Sequence, residues 1–207
     1  MTKSYNNSVF INCPFDDGFR DLLYAIVFTV YKCGFMPRSA LEEDNALHNR
    51  LSKIEHILEQ CKFGIHDLSR IETSKKVLPR FNMPFELGLF FGAKKFGDDT
   101  QKSKVALVLE KEKYLYQQFI SDLNGIDTKA HNNEPKKVIK IVRDWLQAAS
   151  GKEVIEGHLT IIKSYAHFNE KALPEIIQES GLDINDLTFN DFCLLVEEYI
   201  NPFREKN

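Results

Sequence analysis

Two runs, KFGIHDLSR over 62–70 and FNMPFELGLFFGA over 81–93, decide how this chain folds. The short apolar run Phe63 to Ile65 delivers His66, Asp67, Ser69 and Arg70 just past its end. That is where a parallel strand of an open α/β sheet presents its ligands. Pro84, whose fixed φ suits a first helical position, is read as the start of the following helix. Such a start puts Glu86 in the first turn, where free N–H groups and the helix dipole favour an ionised carboxylate. Helical steps from Glu86 reach Leu89, Phe90 and Ala93, so an acid heads an otherwise apolar face. A carboxylate on the buried side of a helix, beside an Asp at a strand end, is a candidate catalytic pair. The plainer alternatives are a first-turn Glu serving the dipole and a turn-forming Asp. Met83, three residues before Glu86, removes the capping-box explanation.

The remaining β-rich and helical runs alternate around this stretch. SVFINC, Ser8 to Cys13, reads as a strand, and PFDDG is its turn. From Phe19 to Tyr31 the apolar residues follow the helical period, with Gly34 as cap. Phe35 to Leu41 reads as a short strand that Pro37 confines to a sheet edge. A helix over Asn45 to Cys61 carries Leu47, Leu51, Ile54, Leu58 and Cys61 on one stripe. KVALVLE, Lys104 to Glu110, is continuously apolar, as in a sheet covered on both faces. Ser121 to Asp127 reads as a turn followed by a short strand. His131 falls just past its end, either as a lone exposed His or within reach of Asp67. Asn133 and Pro135 open a last helix through Trp145.

These runs predict an α/β, flavodoxin-like doubly wound parallel sheet of about five strands over 1–150. A helical appendage is expected over 151–207, from amphipathic segments at Glu153 to Phe168, Glu170 to Ser180 and Thr188 to Ile200. In such a sheet the loops after the first three strands converge, bringing Asn12, Phe15, Arg38, Asp67 and Glu86 to one pocket. Arg70 or Arg80 would close over it. Asn12 and Arg38 are candidates for holding ribose or phosphate, and Asn12 could equally satisfy its own turn.

With 207 residues, 43% hydrophobic content and a net charge of −3, the composition is that of an ordinary globular protein. It lacks the basic footprint of a protein that binds extended DNA. The four cysteines are scattered without metal-ligand spacing, so no metal site and a reduced interior are expected. No apolar run approaches the length of a membrane span and no leader precedes Val9, which reads as a cytoplasmic protein.

Asp67-Leu68-Ser69, then Asn82-Met83-Pro84-Phe85-Glu86-Leu87-Gly88, resembles the D-[LI]-S … N-x-x-x-E-[LI]-G signature of nucleoside 2-deoxyribosyltransferase-like proteins. That superfamily is structurally related to the TIR domains that cleave NAD. Val9 to Trp145 also resembles bacterial proteins carrying this type of domain. A thirteen-residue loop, Ile71 to Met83, separates the halves of the motif, and its Lys75, Lys76 and Arg80 lie outside the signature. The resemblance implies that Glu86 attacks or stabilises the anomeric carbon of a ribose as its N-glycosidic bond breaks. It also implies a role for such an enzyme in bacterial anti-phage defence.

The resulting expectation is an N-glycosidase, nucleosidase or deoxyribosyltransferase acting on a nucleotide, a nucleoside or NAD, without a cofactor. Glu86 and Asp67 are its catalytic candidates. Asn12, Phe15, Arg38, Ser69, Arg70, Asn82 and His131 are candidates for binding substrate. The alternatives are a nucleotide-binding sensor without turnover and a TIR-like interaction module. Residues 151–207 would then serve self-association or a partner protein.

Overall fold

The computed structural model describes residues 4–43, 45, 47, 49–70, 80–152 and 154–201. Five strands form one sheet: β1 (Ser8–Asn12), β2 (Met36–Arg38), β3 (Phe63–Asp67), β4 (Val105–Glu110) and β5 (Lys129–Ala130). Their order is β2-β1-β3-β4-β5 and every pairing is parallel, the flavodoxin-like arrangement.

Alternation along the strands sorts the core into two faces. Val9, Ile11, Phe63, Ile65, Leu107 and Leu109 pack with α1 (Arg20–Lys32) and α5 (Pro135–Ser150). Phe10 packs on the other face with Ile54, Ile57 and Leu58 of α2 (Arg50–Glu59) and Phe90 of α3 (Asn82–Phe96). Gly64 is required by this packing: a Cβ there would come within 2.7 Å of His66 Nε2 and 2.8 Å of the Phe90 ring. Lys104 is fully buried and donates to the carbonyls of Leu58 and Cys61, closing the end of α2.

The expected second strand shrinks to three residues. Pro37 offers no ladder donor, and a turn follows at once, with Glu42 N–H donating to the Ser39 carbonyl at 3.0 Å. The helix expected from Asn45 begins only at Arg50, where the Asn49 side chain accepts from the Leu51 amide. Leu47 is therefore 93% exposed and does not join the buried stripe. Positions 44, 46 and 48, also within the expected helix, lie outside the described residues.

Beyond a four-residue α4 (Asp99–Lys102), the tail is built of α6 (His158–His167), a π-helical turn (Phe168–Ala172), α7 (Leu173–Ser180) and α8 (Phe189–Ile200). Its first two expected segments run together through the π turn, which absorbs an extra residue without breaking the helix. The capping box that opens α8 forms between Thr188 and Asp191. No strand occurs among the described residues beyond 150.

The tail shares the main core. On α1, Leu22, Leu23 and Ala25 through Tyr31 are all buried, because α5 and the sheet cover one side and the tail covers the other. Tyr24 stacks on Phe192 at 3.7 Å, and Phe28 meets Tyr165 and Phe168 at 5.2 and 5.4 Å. Each such aromatic contributes about 1.5 to 3 kcal/mol of burial. The four cysteines are buried, and none is in a disulfide. No helix among the described residues is long and apolar enough to cross a membrane.

Candidate functional site

The parallel register sets Asn12 beside His66 and Asp67 beside Leu109. Alternation then turns Asn12 and His66 toward α3, and Cys13 and Asp67 toward α1 and α5.

Asn12 is buried and its amide nitrogen is fully used. It donates to the Met83 carbonyl at 2.8 Å and pairs with His66 Nδ1 at 3.0 Å. It therefore fixes the start of α3 against β1 and β3. Since the amide donates, His66 Nδ1 is the bare nitrogen and Nε2 carries the proton. Burial, helped by the nearby Lys104 charge, pushes His66 down to about 3, so the ring is neutral. Its Nε2 has no hydrogen-bond partner among the described residues.

On the opposite face, Asp67 is wholly buried and both of its oxygens are occupied. Oδ1 accepts the Ser69 N–H at 2.8 Å, and Oδ2 lies 2.9 Å from His131 Nε2. Ser69 Oγ lies 2.9 Å from the same nitrogen. His131 Nδ1 accepts the Asn133 amide at 2.9 Å. The backbone turns back this way because Asn132 and Asn133 hold φ of 56° and 58°, which asparagine tolerates. Nδ1 is thus bare, and the Nε2 proton is shared between Asp67 and Ser69. A serine triad needs its two partners on different ring nitrogens, so this cluster relays no proton. It clips the end of β3 to the segment before α5. His131 is fully buried in it, rather than exposed.

Glu86 is the fifth residue of α3, because the helix begins at Asn82 and not at Pro84. Pro84 is tolerated there since the first four N–H groups of a helix have no intrahelical partner. Glu86 therefore lies past the first turn, and dipole preference does not account for it. It is only 4% exposed. Burial pushes its carboxyl up to about 7, the Arg50 guanidinium pulls it down, and no described residue donates a hydrogen bond to it.

Cys13 reports how these groups assemble. Burial raises its thiol, and the charges of Asp67, Glu86 and Asp16 raise it further. The three acids thus lie within electrostatic reach of the end of β1, Asp67 on one face of the sheet and Glu86 on the helix that covers the other. Asp67 and Glu86 are not two open carboxylates facing one cleft: Asp67 is committed internally, and Glu86 is the uncommitted one.

Of the other expected residues, Phe15 is half-buried against the main core and Asn82 is exposed at the first position of α3. Arg38 does not join the cluster. Its guanidinium is bound by Glu42 and by Gln60 Oε1, and it lines a separate cavity of about 760 Å³ with Lys53, His56 and Asn190. Arg70 and Arg80 both reach Asp16, at 3.1 and 3.4 Å. Lys75 and Lys76 lie outside the described residues.

Asp16 and Arg50 carry no pattern in the sequence that marks them as site residues. The one available signal was the pair of acids at 16 and 17 in the first loop, each of which also reads as ordinary turn chemistry. Among the described residues no cluster of His, Cys, Asp and Glu could hold a metal ion. No family model matches this sequence, and no curated protein matches it either.

Proposed function

We propose that this protein breaks the N-glycosidic bond of a ribosyl compound, a nucleotide, a nucleoside or NAD, with Glu86 as the reacting carboxyl. The observation that carries the reading is Glu86 itself: a buried acid, raised to about 7, uncommitted among the described residues, on the helix that packs against β1 and β3. A buried acid without a structural partner costs stability, and such costs concentrate where chemistry needs them. The sequence resemblance around Asp67 and Glu86 supports the same reaction.

As the C1′–N bond breaks, positive charge gathers on the sugar. Ionised Glu86 would stabilise that charge or attack C1′, while the base leaves with the bonding electron pair and gains a proton. Water then adds its hydroxyl to C1′, breaking the C1′–O bond to Glu86 where one has formed, and its remaining proton replaces the one taken up by the base. Near neutral pH a carboxyl at about 7 populates both forms, so Glu86 suits either charge stabilisation or proton transfer. Asn12 and the Asp67–Ser69–His131 clip act by holding α3 and the end of β3 in place. A sensor without turnover is the second reading, favoured by the packing of the tail on α1, the helix that leaves the first loop.

The test is chromatographic. Protein incubated with NAD, ATP, dATP, GTP and deoxynucleosides should free a base from at least one. Glu86→Gln should slow that release by two or more orders of magnitude, about 3 kcal/mol of transition-state stabilisation. Release at the wild-type rate by this variant would end the case for Glu86.

A further inference from the structure

Asp16 sits between two guanidiniums that flank the segment 71–79. Arg70 Nη2 donates to Asp16 Oδ1 at 3.1 Å, and Arg80 Nη1 lies 3.4 Å from Asp16 Oδ2. The Arg80 amide donates to the Arg70 carbonyl at 3.0 Å, so the backbone itself brings the two arginines together. Gly18 leaves room for the pair: a Cβ there would lie 2.9 Å from Arg70 Nη2 and 3.2 Å from Asp16 Oδ1.

Two features do not suit a finished salt bridge. One carboxylate answers two guanidiniums, leaving a net positive charge. Arg70 Nε, moreover, is buried with no hydrogen-bond partner among the described residues, although its neighbour Nη2 is engaged. Buried donors are nearly always satisfied, so an orphan beside an occupied donor calls for an acceptor that spans both. A carboxylate or phosphate that meets Arg through its fork engages two N–H groups in parallel. Asp16 reaches only one. All three side chains are partly open to solvent, with Asp16 at 27% exposure, so an incoming anion can reach them.

We infer that the Asp16–Arg70–Arg80 clamp is the phosphate subsite of the protein, and that its substrate is a 5′-phosphorylated ribosyl compound and not a free nucleoside. A phosphate would take the Nε and Nη2 fork of Arg70 and the Nη1 of Arg80, and Asp16 holds the guanidiniums in its absence. A dianion exceeds the single charge of Asp16, so the exchange is electrostatically downhill. Asp16 lies in the loop after β1, Arg70 just past β3, and Arg80 two residues before α3, the helix that carries Glu86. A phosphate held there would lie at the same end of the sheet as the start of that helix, from which its ribose would extend toward the reacting carboxyl. In this respect the inference rests on the proposed function.

The probes are ribose 5-phosphate and ribose, which share the sugar and carry no base, titrated calorimetrically into the whole chain. Ribose 5-phosphate should bind and ribose should not. Arg80→Met should weaken the phosphate ester by about tenfold or more, the loss of one charge-assisted contact. Asp16→Asn should strengthen it by a few fold, because it removes the competing anion, whereas a purely structural Asp16 would give the opposite sign. Equal binding of the two sugars, no binding of either, or unchanged affinity in Arg80→Met overturns the clamp. Base release from nucleosides as fast as from their 5′-phosphates, still dependent on Glu86, overturns the clamp and leaves the glycosidic reaction standing. Clamp-dependent binding of ribose 5-phosphate without base release from any nucleotide does the reverse.

Discussion

Replacing Glu86 by glutamine should make the protein more stable at alkaline pH while removing its chemistry. The carboxyl rises from 4.5 to about 7 on folding because it leaves water. Between those values the folded protein keeps a proton that the unfolded chain has released. The group therefore costs nothing well below 4.5, costs progressively more as pH rises, and reaches its full penalty above 7. At about 1.36 kcal/mol per unit the whole shift amounts to roughly 3 kcal/mol, of which about 2.5 falls between pH 5 and pH 8. Glutamine keeps the shape and never ionises. Its advantage over the wild type should accordingly grow by about 2.5 kcal/mol across that interval, less whatever hydration the cleft retains. Urea unfolding followed by the single tryptophan, Trp145, which meets Phe63 edge-on at 5.9 Å, measures this at both pH values. A variant whose advantage is flat with pH, or which is less stable than wild type at pH 8, would show that Glu86 is solvated or ion-paired, and the argument for its reactivity would fall with it.

Three other substitutions or deletions probe the scaffold. Asp67→Asn sets an amide against either the Ser69 N–H or the His131 N–H, and should cost about 1 to 3 kcal/mol in urea unfolding; wild-type stability would mean that the clip is not formed in solution. Gly64→Ala drives a methyl into His66 and Phe90, so about 1 to 3 kcal/mol and a melting point several degrees lower are expected. An undiminished melting point would show slack between β3 and α3. Ending the chain at Ser150 bares the outer side of α1, and the fragment should lose its cooperative melt by circular dichroism. A soluble fragment melting like the full chain would make the tail a separate body.

What the sequence disclosed follows from what is local in it. β3 and β4 were legible because their apolar runs are continuous, and β2 kept its edge position because Pro37 forbids a central one. The helix before Cys61 reads longer than it is because Leu47 and Leu51 share helical spacing with Ile54, and spacing alone does not say which leucine is buried. Glu86 reads two residues too early in its helix, because the φ of proline suits the third helical position as well as the first. Asp67 and His131 stand 64 positions apart, and Asp16 and Arg70 stand 54 apart. No periodicity encodes pairings across strands, so the buried clip and the clamp were visible only in three dimensions. The union of tail and domain left a trace that went unused: from Ala25 to Tyr31 α1 shows no polar stripe, as expected of a helix covered on both sides.

That doubly covered helix bears on how the protein is made. Tyr24 waits for Phe192, which is translated roughly 170 positions later, or about 10 to 30 seconds at ordinary synthesis rates. Until then the sheet can assemble while the outer side of α1, Phe28 included, stays greasy and open to strangers. Until α8 is made the nascent chain thus carries the kind of apolar surface that chaperones shield, and a ribosome stalled before α8 would release a sticky, half-clad product.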